Sequence, residues 1–265
     1  MSADILEELA AMRREDARMR EEAVPFAKML RLASTAPMAR DFAAAFRGAG
    51  TNVIAELKRA SPSEGMIRED FHPEELAKEL DANGAAALSV LCEPHRFLGS
   101  EDYLKAVRGA AGVPIIYKDF LTTRYQIAAA RAAGADAVLL IAAVLDGAKL
   151  AEMLAFTREL GMKALVETHD EGEIVRAAES GAEIIGVNCR NLRNFSCDTT
   201  LLETLLGKIP NDRVRIAESG MHTREAICKA AAAGADGFLV GTALMRAECP
   251  GEKLRELTGT TKGNI

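Results

Sequence analysis

An α/β fold, specifically a (β/α)8 TIM barrel with an N-terminal helical extension, is what this 265-residue sequence predicts. Three observations lead there. First, a helix-ending Gly-Ala step followed at once by an apolar run recurs in DANGAAALSV (81–90), RAAGADAVLL (131–140), AESGAEIIGV (178–187) and AAAGADGFLV (231–240). Glycine ends a helix in the left-handed conformation, and a short aliphatic run after it suits a strand buried on both faces. Second, NVIAELKR (52–59), VPIIYKDF (113–120), MKALVETH (162–169) and RVRIAESG (213–220) read as four more strands, which brings the total to eight. Third, an amphipathic helical stretch separates each strand from the next, from PEELAKELDANG through TREAICKAAAAG to a closing GEKLREL. Eight βα units in succession match the arithmetic of a closed parallel barrel. An open doubly wound sheet is the alternative, but no strand leads into the GxGxxG turn which that fold often carries.

Residues 1–47 fall outside this count and form the extension, residues 48–258 the barrel catalytic domain, and residues 259–265 a C-terminal tail. ILEELAAMRREDARMREEA is helical by period and charge, and MARDFAAAF reads as a second short helix, with the Pro25 to Pro37 segment joining them. Such an extension is expected to cap one end of the barrel or to reach over its mouth.

Composition narrows the function. Lys and Arg number 33 against 39 Asp and Glu, for a net charge of −6, which argues against nucleic acid as a partner. No apolar run has the length of a membrane span, and the charged amphipathic start is unlike a signal peptide, so a cytoplasmic protein with no membrane partner is expected. The five cysteines, Cys92, Cys189, Cys197, Cys228 and Cys249, lack CxxC pairing and are expected to be reduced.

Charges inside apolar strands point to a site. Alternate side chains on a strand share a face, so Glu56 and Lys58 point the same way while Leu57 faces the helices. If that face is inward, both lie at the carboxyl end of strand one, where barrel enzymes build their sites. Lys118 and Asp119 end strand three, Glu167 strand five, Asn188 and Arg190 strand six, and Glu218 and Ser219 strand seven. A lone charge at a strand end is ordinarily just solvated, but agreement among several strands is not explained that way. Lysines and glutamates packed together perturb one another's pKa values, which tunes acids and bases toward neutral pH. The acid is then Lys58 or Lys118 and the base Glu56 or Glu167. His72, His95, His169 and His222 fall in loops or just past strand ends, and His169, two residues from Glu167, reads as a hydrogen-bonded loop residue. No His and carboxylate spacing repeats across strands, so no metal site is expected. Gly220, after strand seven, and Gly241 with Thr242, after strand eight, let backbone N–H groups face an anion, the usual phosphate cradle of barrels, with Ser61 and Ser63 as added hydroxyl donors.

Taken together, AELKRASPS, DFHPEELA, GAAALSVLCEP with FLGS, VPIIYKDF, ALVETH, IIGVNCRNL, AESG and LVGTALM run in order over roughly residues 25 to 250, and the chain resembles the indole-3-glycerol phosphate synthases. The resemblance implies a lyase of tryptophan biosynthesis that needs no metal and no organic cofactor. Its substrate is the phosphorylated small molecule 1-(2-carboxyphenylamino)-1-deoxyribulose 5-phosphate, which closes to indole-3-glycerol phosphate with loss of CO2 and water. It further implies Lys118 as the general acid on the substrate carbonyl, Glu167, Glu56 and Lys58 serving closure, decarboxylation and dehydration, and Asn188 and Glu218 orienting the substrate. Ser61, Gly220, Gly241 and Thr242 would hold the phosphate, with Ser219 and Arg190 beside them. A monomer is expected, with a weak homodimer as the alternative.

The sequence departs from the family pattern at Tyr117, where an arginine is usual, and at Cys189, Leu98, Thr242 and Glu64. By strand parity Tyr117 and Cys189 face the helices. Two other readings are weaker. A barrel isomerase for phosphoribosyl amines needs Cys and Asp or two Asp where this chain has Glu56, Lys58 and Glu167. A phosphate-binding barrel without catalysis leaves the filled acid–base positions unexplained.

Overall fold

A computed structural model describes residues 5–48, 50–190 and 198–260. Eight parallel strands close into a barrel: β1 (Asn52–Leu57), β2 (Ala87–Leu91), β3 (Ile115–Lys118), β4 (Ala137–Ile141), β5 (Lys163–Thr168), β6 (Ile184–Asn188), β7 (Val214–Glu218) and β8 (Gly237–Val240). Each pairs with its sequence neighbours, and β8 returns to β1 with Asn52 opposite Gly237. Helices α3 (Pro73–Ala82), α4 (Glu101–Ala110), α5 (Arg124–Ala132), α6 (Gly147–Glu159), α7 (Glu171–Glu179), α8 (Thr199–Leu206) and α9 (Arg224–Ala232) join them, and a short α10 (Thr242–Met245) precedes the closing α11 (Pro250–Thr258).

The pleat sorts the strands' side chains into two cores. Outward residues such as Val53, Leu88, Val138, Ile185 and Phe238 pack against the helices. Inward ones, including Ile54, Ala87, Ile116, Leu139, Leu165, Ile184, Ile216 and Leu239, fill the barrel. The recurrent Gly-Ala step behaves as the sequence suggests: Gly84, Gly134, Gly181 and Gly234 all have positive φ, between 84° and 100°. Helix starts are marked by side-chain caps, among them Ser100, Thr123, Asp146, Asp170 and Thr223.

Three expectations change. The segment between Pro25 and Pro37 is a helix, α2 (Phe26–Thr35), because Met29 and Ala33 recur one turn apart and bury against the barrel's helical coat. MARDFAAAF forms only a 3-10 turn at Ala44–Phe46, since the Asp41 carboxylate accepts from the N–H groups of Ala43 and Ala44 and bends the chain. Cys189 is disulfide-bonded, whereas Cys92, Cys228 and Cys249 are free; spacing along a chain carries no record of such a contact. Cys197, and Asn191 and Leu192 of the IIGVNCRNL motif, lie outside the described residues.

The extension reaches both ends of the barrel. Helix α1 (Ile5–Ala23) lies over the carboxyl ends of the strands, where Ile5, Leu6 and Leu9 line the central cavity. Phe42 and Phe46, ring centroids 5.2 Å apart, join the inner core from the opposite end. A Cβ on Gly237, the first residue of β8, would come 2.6 Å from the Phe46 ring, so only glycine leaves room for that plug. Among the described residues no helix is long and apolar enough to cross a membrane.

Candidate active site

The inward parity of β1 places Glu56 and Lys58 together: Lys58 Nζ lies 2.9 Å from Glu56 Oε1. Lys118, the last residue of β3, enters the same space and stands 3.4 Å from Glu56 Oε2, 3.2 Å from Glu218 Oε2 and 3.9 Å from Glu167 Oε2. Four strands thus deliver their ends to one ammonium group. Register explains the meeting, because Glu167 sits level with Gly186, and Asn188 with Glu218. Gly186 is a necessary gap: a Cβ there would fall 2.1 Å from Glu218 Oε1. Gly241 makes a similar gap, where a Cβ would meet Glu56 Oε1 at 2.4 Å and Lys58 Nζ at 3.1 Å.

Burial and neighbours divide the protonation states. Burial penalises the Lys118 ammonium, but the carboxylates of Glu218, Glu56 and Glu167 outweigh that and raise its pKa, so it stays charged. Burial also works against the Glu56 carboxylate; Lys58 and Lys118 overcome it and hold its pKa down to about 2. Glu218 goes the other way. Burial, with the repulsion of Glu167 added, lifts it to about 8 against the pull of Lys118. The site therefore holds a permanent cation, a permanent anion and a carboxyl group poised near neutral pH.

Beside this cluster lies a polar corner. Ser219 Oγ donates to Asn188 Oδ1 at 2.8 Å, and the Arg190 N–H donates to the same oxygen at 3.0 Å. Ser219 and Gly220 both have positive φ, 65° and 74°, a rare state for serine that turns the chain sharply after β7. Ser61 Oγ lies 3.3 Å from Ser63 Oγ and accepts from the Glu64 N–H. Ser61, Arg190, Gly220, Gly241 and Thr242 all line the same cavity as the lysines and glutamates. The twelve residues to which the resemblance gives a role therefore all border one space, of about 1090 Å³ including its open mouth. Among the described residues no group of three or more His, Cys, Asp or Glu is arranged to hold a metal ion.

Sequence reasoning missed the apolar wall. Phe97, Phe120, Leu139 and Ile141 face the charged cluster, and Leu6 and Leu9 of α1 close over it. Asp119 lines the same cavity, as its place in the polar set implies, but its carboxylate is fully buried and held by Arg13 of α1 at 2.7 to 3.0 Å. Further ties hold α1 down, with Asp16 2.7 Å from His95 and Arg20 2.5 Å from Glu101. The departures Tyr117 and Cys189 face the helices as parity requires, and the Tyr117 hydroxyl donates to Glu101 at 3.1 Å. Glu64, another departure, pairs with Arg246.

A closed parallel barrel that gathers ammonium and carboxylate groups at the carboxyl mouth has the anatomy of an enzyme that works by proton transfer. The indole-3-glycerol phosphate synthase family model matches residues 6–257. An indole-3-glycerol phosphate synthase of Albidiferax ferrireducens is 46% identical over 263 residues, covering 97% of this chain and 99% of its own. Indole-3-glycerol phosphate synthase 2 of Streptomyces coelicolor is 50% identical over 233 residues, with 88% and 90% covered. Among solved structures, a mutant tryptophan synthase α-subunit from Pyrococcus furiosus superposes with a TM-score of 0.59 at 18% identity, over 79% of this chain and 98% of its own, which is a likeness of fold alone. The chain belongs to the indole-3-glycerol phosphate synthase family.

Proposed function

We propose that this protein catalyses the family's reaction with the cluster around Lys118: ring closure of 1-(2-carboxyphenylamino)-1-deoxyribulose 5-phosphate to indole-3-glycerol phosphate, CO2 and water. What supports the reading is the Lys118 ammonium, held charged and within 3.9 Å of three carboxylates from three other strands, in a cavity with an apolar wall.

In the first step the anilino ring carbon that bears the carboxylate attacks the substrate carbonyl carbon. The carbonyl oxygen gains negative charge and takes a proton from Lys118, a preorganised donor worth more in the transition state than in the ground state. Breaking the bond to the carboxylate releases CO2 and restores the aromatic ring. The hydroxyl group then leaves as water and a carboxylate removes a proton from the adjacent carbon, which completes the indole. Glu167 and Glu56 serve as the carboxylates on this reading, and Lys58, 2.9 Å from Glu56, as the acid for the departing hydroxyl. Glu218 and Asn188 orient the substrate. Ser61, Gly220, Gly241 and Thr242 take the phosphate, with Ser219 and Arg190 alongside. The apolar wall of Phe97, Phe120 and Leu139 suits the anilino ring.

On this reading residues 48–258 are the catalytic barrel, residues 1–47 an extension that completes its mouth and residues 259–265 a tail. The protein works in the cytoplasm as a monomer, without nucleic acid or membrane. Indole fluorescence on adding the anilino-ribulose phosphate, with chelator present, tests the assignment. Lys118→Met turning over at close to the wild-type rate, or turnover that the chelator abolishes, overturns it.

A further inference from the structure

His169 stands at the edge of the site, and its surroundings are built. Its backbone N–H donates to Glu173 Oε2 at 2.8 Å, and its ring Nδ1 lies 3.3 Å from the same oxygen. Glu173 is itself fixed, three residues into α7, where its N–H bonds to the Asp170 cap. With Nδ1 tethered, Nε2 is aimed inward and lies 3.4 Å from Glu167 Oε1. That nitrogen is shielded from solvent yet completes no hydrogen bond among the described residues, so a polar atom is buried facing the carboxylate and waiting for a better-aligned partner. A ring with a carboxylate at each nitrogen donates from both only as imidazolium.

The geometry points to His169 as a positioning residue for Glu167, holding that carboxylate's orientation and lending it a positive neighbour that favours its proton-accepting form. The inference rests on the reading of Glu167 as a base. The charged groups around the ring are Glu167 on β5, Glu218 on β7 and Glu173 on α7, with Arg176 4.0 Å beyond Glu173 and Lys118 on the far side of Glu167. Burial lowers the His169 pKa, but the bond to Glu173 and the fields of Glu167, Glu173 and Glu218 prevail, leaving it raised above 6.5.

Side-chain NMR titration of the full chain tests the coupling without any need for turnover. Four histidines are present, and His169→Asn assigns the resonance. The His169 midpoint is expected above 6.5 and above that of His222, and to fall by about one pH unit in both Glu167→Gln and Glu173→Gln. A midpoint unmoved by Glu167→Gln overturns the inference. In turnover assays, His169→Asn keeps a donor toward Glu173 but loses the titrating charge. The acidic limb of its kcat/KM profile is expected to move up by about one pH unit, with rates converging on wild type at alkaline pH. A uniform loss of rate at every pH, which a purely structural histidine would produce, overturns it. If the wild type closes no ring while the NMR coupling stands, the proposed reaction fails and the link between His169 and Glu167 does not.

Discussion

Arg13 and Asp119 form a forked ion pair that joins the first helix to the residue next to Lys118, with both Nε and Nη2 of the guanidinium on a carboxylate whose side chain has no exposed surface. Because Asp119 follows Lys118 directly at the end of β3, the clamp fixes the backbone that carries the proposed acid. It also seats α1, so that Leu6 and Leu9 meet the cavity.

Arg13→Ala would strand a buried carboxylate, at a cost of about 3 to 5 kcal/mol. Thermal denaturation should show that loss, and KM should rise as α1 lifts from the mouth. Arg13→Lys, which keeps the charge but not the fork, should fall between the two.

Lys118→Met keeps most of the side chain's volume but removes the donor. A rate loss of about 10² to 10³ in kcat, or roughly 3 to 4 kcal/mol of barrier, is expected with the fold retained. Stopped-flow fluorescence together with circular dichroism measures both.

Gly186→Ala should act on the site through space. Its new Cβ would lie 2.1 Å from Glu218 Oε1, so the carboxylate must swing away from Lys118. Overpacking of this kind costs about 1 to 3 kcal/mol of stability. The larger effect should be on kcat, and Gly186→Ala combined with Glu218→Asp, which shortens the side chain, should recover part of it. Equal losses in the single and double variants would count against steric displacement as the cause.

Glu218 makes stability depend on pH. Its folded value, about 8, lies above the ordinary 4.5, so the folded state binds the proton more tightly than the unfolded chain does. That contribution is fully present below pH 4.5 and is lost as pH rises through about 8. Glu218→Gln cannot ionise, so its melting temperature relative to wild type should climb between pH 5 and pH 9. A constant difference across that range would rule out the raised carboxyl.

The barrel was legible because each unit repeats one short physical statement: a glycine that ends a helix and an aliphatic run too brief for anything but a buried strand. The site's polar members were legible because charge at Glu56, Lys58, Lys118 and Glu167 interrupts strands that are otherwise apolar. Other features left no such mark. Phe97, Leu139 and Ile141 look like any core residue until the strands close and one face of each meets the cavity. The pairing of Arg13 with Asp119 spans 106 positions and follows no period. Helix α2 was hidden by its flanking prolines, Pro25 and Pro37, which suggested a linker although Pro25 merely precedes the first turn.

The stopper made by Phe42 and Phe46 carries a consequence for how the chain can be cut. The same leading segment supplies both floor and roof, so a truncated form beginning at residue 48 would bare greasy surface beneath the strands as well as open the chamber above them. Removing the roof alone calls for a cut between α1 and α2, near Val24, that leaves the two phenylalanines in place.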